Sequence, residues 1–249
     1  MIDSKYSTSR LKKAIEQFTE KVLLNHFSAN QMTITGFILG VFGALFIGIY
    51  GFGSFSSGFH EFQHLIWDTI RQGGFSKGWQ KLKDIGLFGW KWSTGDTLLL
   101  FGSIFMILSF SADVFDGNLA RLTKPTKFGG ILDIFSDRLV ELMFLIVIIS
   151  LSPENLLWPG LISFAAIVAC ITIFLLIGGA TESSDINEWS EQQKVIYYSS
   201  GIMERSETFL FILFLLTLVP LQVVLMWFFA ILVWITAFQR FYHAYRLFY

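Results

Sequence analysis

The sequence predicts an all-α integral membrane protein: six transmembrane helices preceded by an amphipathic helix on the membrane surface. Three observations predict it. Of the 249 residues, 53% are hydrophobic and only 15% are charged, whereas a soluble domain carries about 25% charge. The mean hydropathy is +0.59. Several stretches with few or no charges reach the roughly 20 residues that a helix needs to cross the hydrocarbon core. The 28 Phe and 8 Trp suit lipid-facing surfaces and interfacial belts. A net charge of −1 without a basic stripe gives no case for a nucleic-acid partner. Cys170, the one cysteine, lies in an apolar run and reads as a small packing residue. Charges spread through the first thirty residues argue against a secretory signal there.

Residues 6–27 read as the surface helix. Leu11, Ile15, Phe18 and Val22 repeat at helical spacing, with Lys12, Lys13 and Lys21 off that stripe. Residues 1–31 thus form a surface helix and entry segment, and 32–249 a six-helix domain. The first span is Met32–Gly51, within a stretch free of charge from Gln31 to His60. Residues 52–96 form a long loop with room for a short amphipathic helix near Phe62, Leu65, Ile66 and Ile70. The second span, Thr97–Ala112, continues as a polar helix through Arg121. The third is Gly130–Leu151 and the fourth Leu156–Gly179, followed by a polar loop at 180–195. The apolar stretch Thr208–Gln239 would extend about 48 Å as one helix, too long for a ~30 Å core. Val219-Pro220 offers a break, which gives spans five and six at Ile196–Val219 and Leu221–Gln239.

An even span count puts both termini on one side of the membrane. Thirteen of the 18 Lys and Arg then fall on that side and five in the 52–96 loop. The excess predicts that the termini are cytoplasmic and the loop is not.

The segment richest in chemistry runs from Asp113 to Asp137. Asp113 and Asp116 are spaced i, i+3, and Asp133 and Asp137 i, i+4, so each pair shares a helix face. The short connection 122–129 makes the two helices antiparallel neighbours, and the four carboxylates can meet just inside the cytoplasmic interface. Each acid costs about 2.5–3.5 kcal/mol at mid-membrane, and together they repel. Divalent cations resolve both problems. Hard oxygen ligands suit Mg²⁺ or Mn²⁺ for phosphate transfer, and a pair of ions about 3.5–4 Å apart could clamp a pyrophosphate. Gly117 and Ala120 leave space for a nucleotide to approach, and Arg121 can pair with phosphate or lock a ligand carboxylate. A row of interfacial charges capping two helices would explain any one of these acids. It does not explain the whole spaced set.

The pattern Asp-x-x-Asp-Gly-x-x-Ala-Arg-(x)7-Gly-x-x-x-Asp-x-x-x-Asp over residues 113–137 resembles the signature of the CDP-alcohol phosphatidyltransferases at every fixed position. Ser28-Ala29-Asn30-Gln31-Met32-Thr33 resembles that family's entry to the first span, with Ala29 where Pro is common. The resemblance implies metal ligation by Asp113, Asp116 and Asp133, with Asp137 as both ligand and general base. It implies CDP binding by Asn30, Thr33, Asp116, Gly117, Ala120, Arg121 and Gly129. It also implies a homodimer whose cavity opens to the cytoplasm and to lipid.

Other charged residues need a reading too. Arg205, between Glu204 and Ser206, would lie within a span and need a partner. Binding an anionic acceptor is the preferred reading, pairing with a Glu the plainer one. Lys127 and Lys194 could supplement it or be ordinary loop charges. His60-Glu61-Phe62-Gln63-His64 matches the His-Glu-x-x-His of zinc proteases, with Asp68 one turn on. It lies outside any clear span and across the predicted membrane from Asp116, so an amphipathic interfacial helix is the preferred reading.

The expected function is transfer of a phosphatidyl group from a CDP-linked lipid, read as CDP-diacylglycerol, to a small hydroxyl acceptor with release of CMP. The segments around Lys127-Phe-Gly, Asp137-Arg138 and Gly201–Arg205 resemble members that use a phosphorylated polyol. Transfer from CDP-choline or CDP-ethanolamine to diacylglycerol is the rival within the family. A zinc metalloprotease using His60 and His64 and a cation-coupled carrier are rivals from other classes. A carrier should show repeat symmetry, which the sequence lacks.

Overall fold

The computed structural model describes residues 15–24, 26–52, 58–85, 93–123, 126–182, 202–203, 205–218 and 221–249. Every regular element among them is helical. A helical segment α1, residues 15–23, ends in a π-helix at Thr19–Leu23. It is followed by α2 (Ala29–Phe52), α3 (Gly58–Gly73), α4 (Phe75–Ile85), α5 (Thr94–Leu122), α6 (Lys127–Leu151), α7 (Pro153–Glu182), α8 (Arg205–Thr217) and α9 (Gln222–Phe248). Four helices, α2, α5, α7 and α9, are long and apolar enough to cross a membrane, which marks an integral membrane protein.

The expected spans two, three, four and six start within a few residues of α5, α6, α7 and α9, and span one falls on α2. Helix α5 reaches Leu122 as one continuous element, so the second span and its polar extension are a single rod. Helix α6 carries the third-span sequence together with its acids. Helix α8 has only 13 residues, about 20 Å at 1.5 Å per residue, and the first part of the expected fifth span falls at 196–201, outside the described residues. The break at Val219-Pro220 falls between α8 and α9. Gln222 bridges it, its Nε2 donating to the Leu215 carbonyl at 2.8 Å. The 52–96 region holds two short helices rather than one. Gly74, with φ of 79°, supplies the left-handed turn between α3 and α4 that other residues adopt at a cost.

The chain divides into two compact units. The first comprises residues 1–152 and 216–220, the second 153–215 and 221–249. In the first unit α2 packs along both α5 and α6. Glycines make this possible. A Cβ at Gly36 would sit 3.1 Å from Ala112 Cβ and 3.3 Å from the Ser109 carbonyl oxygen. At Gly40 it would meet Val140 at 2.7 Å and Ser109 Oγ at 2.9 Å; at Gly43, Phe144 at 2.9 Å and the Gly102 carbonyl oxygen at 3.0 Å. Small residues let helix backbones approach where lipid supplies no hydrophobic drive between helices. Ser109 Oγ donates to the Gly36 carbonyl at 2.7 Å, tying α2 to α5 at the same level.

Helix α1 rests on α5, with Phe18 and Phe115 ring centroids 5.6 Å apart. Phe18 and Val22 of the expected stripe are exposed, while Thr19 is fully buried and Leu23 and Leu24 join a cluster with Met32, Ala112, Phe115 and Leu119. Leu11 lies outside the described residues.

In the second unit α7 packs on α9. Phe211 of α8 lies 5.9 and 5.7 Å, centroid to centroid, from Phe228 and Phe229 of α9.

Candidate functional site

The acids are placed by two well-defined helix ends. Thr126 precedes α6, and its Oγ1 accepts the Gly129 N–H at 3.0 Å, satisfying an amide that the helix itself cannot. Helix α6 therefore begins at Lys127, and Asp133 and Asp137 fall two and three turns in. Thr123 ends α5 about two turns beyond Asp116, its N–H donating to the Leu119 carbonyl at 2.9 Å.

Asp113, Asp133 and Asp137 meet. Each offers an oxygen, and the three oxygens lie within 4.8 Å of one another. All three residues are half-buried. Asp116 is buried, at 5% exposure, and stands outside that three-oxygen group. Helices α5 and α6 make little direct contact with each other; α2 holds both. Their acids thus converge across a space between the two helices instead of at a packed seam. Three carboxylates at this separation repel unless cations lie among them. Hard oxygen donors in such a set fit Mg²⁺ or Mn²⁺.

Around this cluster the expected nucleotide residues divide. Gly117 looks onto open space: the nearest atom to a Cβ built there is Arg121 Nη2, at 4.0 Å. Arg121 is exposed, and its Nη2 donates to Asn118 Oδ1 at 3.1 Å. Asn118 in turn donates from Nδ2 to the Val114 carbonyl at 2.8 Å, which fixes it against the helix. Ala120 is half-buried on the same turn. Gly129 is different. A Cβ there would lie 2.7 Å from Asn30 Oδ1 and 2.9 Å from Thr126 Oγ1. Its bareness lets the start of α6 close onto Asn30 at the start of α2. Thr33 is buried, its hydroxyl donating to the Ala29 carbonyl at 3.1 Å.

Sequence reasoning missed one contact. Arg138, directly after Asp137, forms an ion pair with Glu141. The i, i+3 spacing was a readable signal. The pair neutralises a cation within α6, where an unpaired one is costly.

Lys127 is exposed on the first turn of α6. Arg205 opens α8 in the second unit. Near it, Ser206 Oγ donates to Glu207 Oε2 at 2.9 Å. Lys194 and Glu204 lie outside the described residues. His60, Glu61 and His64 fall on α3, and their side chains lie outside the described set.

The family model described as CDP-alcohol phosphatidyltransferase matches residues 85–238. No curated protein and no solved structure matches the chain. The matched region takes in α5 to α8 and most of α9, including all four aspartates, and leaves the His-Glu-x-x-His segment outside. That region is more than half of the chain, and the chain belongs to the CDP-alcohol phosphatidyltransferase family of enzymes.

Proposed function

We propose that the protein is a metal-dependent phospholipid-synthesis transferase that moves the phosphatidyl group of CDP-diacylglycerol to the hydroxyl of a small phosphorylated polyol. The observation that carries this reading is the approach of the Asp113, Asp133 and Asp137 oxygens to within 4.8 Å of one another. Two Mg²⁺ or Mn²⁺ ions bound by these acids and Asp116 would neutralise charge on the phosphoryl oxygens.

The chain's own residues do the rest. The open face at Gly117 admits the nucleotide, with Asn30, Thr33 and Gly129 on its α2–α6 side and Asp116, Ala120 and Arg121 along α5. Arg121 offers a guanidinium to a phosphate or fixes a ligand carboxylate. Asp137 takes the proton of the acceptor hydroxyl as that oxygen bonds to the lipid-side phosphorus. The bond from that phosphorus to the CMP oxygen breaks, and CMP leaves. Arg205, with Lys127 and Lys194, meets the anionic group of the acceptor.

The proposed setting is six spans with α1 on the membrane surface. Helices α6 and α8 supply spans three and five. Both termini and the acids face the cytoplasm, and two copies pair as a homodimer.

The test is purified protein with Mn²⁺, CDP-diacylglycerol and a panel of neutral and phosphorylated alcohols, scored by CMP release and the new lipid. Turnover restricted to phosphorylated polyols is expected. Turnover of CDP-choline with diacylglycerol, and of none of the panel, would overturn the donor and the acceptor together.

A further inference from the structure

We infer that Thr236 and Gln239 of α9 are positioning residues for acceptor recognition, clamping the segment that delivers Arg205. The inference rests on the proposed reading of Arg205 as an acceptor ligand.

Two hydrogen bonds make the clamp. The Met203 N–H donates to Thr236 Oγ1 at 2.9 Å, and the Ile202 N–H donates to Gln239 Oε1 at 3.3 Å. Thr236 and Gln239 are three residues apart, so both project from one face of α9. The first bond is deeply buried, with Thr236 at 1% and Met203 at 6% exposure. Thr236 spends its own proton on the Leu232 carbonyl at 2.9 Å, which leaves its oxygen to accept from Met203. Helix α8 begins at Arg205, two residues after Met203.

The chain just ahead of a helix has no ladder of its own to fix it. Here two of its amides are fixed by side chains of another helix, where water or a local cap would be the ordinary partners. An anion-binding arginine acts through placement, because a displacement of about 1 Å can cost roughly a hundredfold in rate. The other arginine near this clamp is engaged elsewhere. Arg240 Nη1 reaches the Cys170 carbonyl at 3.5 Å, and its guanidinium carbon lies 6.0 Å from the Phe174 ring centroid. The clamp would serve Arg205, which opens α8.

The experiment is steady-state kinetics of the full-length protein in lipid nanodiscs with Mn²⁺ and CDP-diacylglycerol. The acceptors are inositol 3-phosphate and glycerol 3-phosphate. Thr236→Val and Gln239→Leu should each raise the acceptor KM by about three- to tenfold and move the donor KM by less than about twofold. Thr236→Ser, which keeps the hydroxyl, should restore the wild-type value. Arg205→Ala should raise the acceptor KM at least as far, and adding Thr236→Val to it should change nothing more, because the two act as one unit.

An acceptor KM raised by Arg205→Ala but not by Thr236→Val overturns the clamp and leaves the acceptor reading standing. So does a donor KM that rises in step with the acceptor KM in Thr236→Val, since that marks a general loss of structure. An acceptor KM indifferent to Arg205→Ala removes the acceptor reading and the clamp together. Turnover with neutral alcohols alone does the same.

Discussion

At the residue scale, the proposed reading gives the acids different roles. Asp137 is the deepest of the second pair, one turn beyond Asp133, and the chain has no histidine in the motif to take a proton. Asp137→Asn should keep metal and CDP-lipid binding measurable while lowering turnover by about 10²–10⁴, the usual worth of a general base. Asp113→Asn should instead weaken metal and nucleotide binding, measured by Mn²⁺ titration and CDP affinity. Near wild-type turnover in Asp137→Asn would move the base to another carboxylate. Gly117 gives a second test. Nothing but the end of Arg121 approaches it, so Gly117→Ala has room, and alanine favours a helix by about 1 kcal/mol over glycine. The expected pair of results is an unchanged or raised Tm and a higher KM for CDP-diacylglycerol. A lowered Tm with an unchanged KM would mean that this face is packed and holds no nucleotide.

The residue pattern made the meeting of Asp113, Asp133 and Asp137 legible, because i, i+3 and i, i+4 spacings constrain which carboxylates share a face, but it also put Asp116 with them, and Asp116 stands outside the three-oxygen group. The division within the nucleotide set was not legible. Gly117 and Gly129 look equivalent in sequence, and only the approach of Asn30 and Thr126 shows that Gly129 is closed in by neighbours while Gly117 faces open space.

At the scale of elements, α2 organises the first unit. The sequence spacing Gly36-x-x-x-Gly40 could have suggested it, since small residues four apart mark close helix contacts in membranes. Reading α5 and α6 as direct antiparallel neighbours overlooked that α2 stands against both. Gly43→Leu tests this arrangement. Its Cβ would meet Phe144 at 2.9 Å and backbone atoms of Gly102 and Met106 at 3.0 and 3.1 Å. Backbone cannot rotate aside, so the expected cost is about 1–3 kcal/mol, seen as a lowered Tm in detergent. An unshifted Tm would mean that α2 is not held where the glycines place it. Helix α3 carries the competing metal motif. His60→Ala with His64→Ala should leave phosphatidyl transfer largely intact, because the matched family region lies beyond it, from residue 85 onward. A loss as deep as that of an aspartate variant, in folded protein, would put α3 beside the acids. The second short helix, α4, escaped sequence reading because Lys77, Lys81 and Lys83 dilute its apolar residues, and its Gly78 packs against Ile70.

At the scale of the whole molecule, four helices are long and apolar enough to cross a membrane, and one of them, α5, carries Asp113 and Asp116. Helix α6 falls short of that apolar standard because it carries Asp133, Asp137, Arg138 and Glu141 within a single stretch; the proposed chemistry uses the two aspartates, while Arg138 and Glu141 pair with each other. The central claim is that the acids act through bound divalent cations on a CDP-linked lipid. The most direct measurement is CMP release from CDP-diacylglycerol by the full-length protein, titrated with Mn²⁺ or Mg²⁺ and then with excess chelator. The account predicts no CMP without the metal, restoration when metal is returned, and a shift of the metal titration to higher concentration in Asp113→Asn. Full CMP release in excess chelator would contradict it.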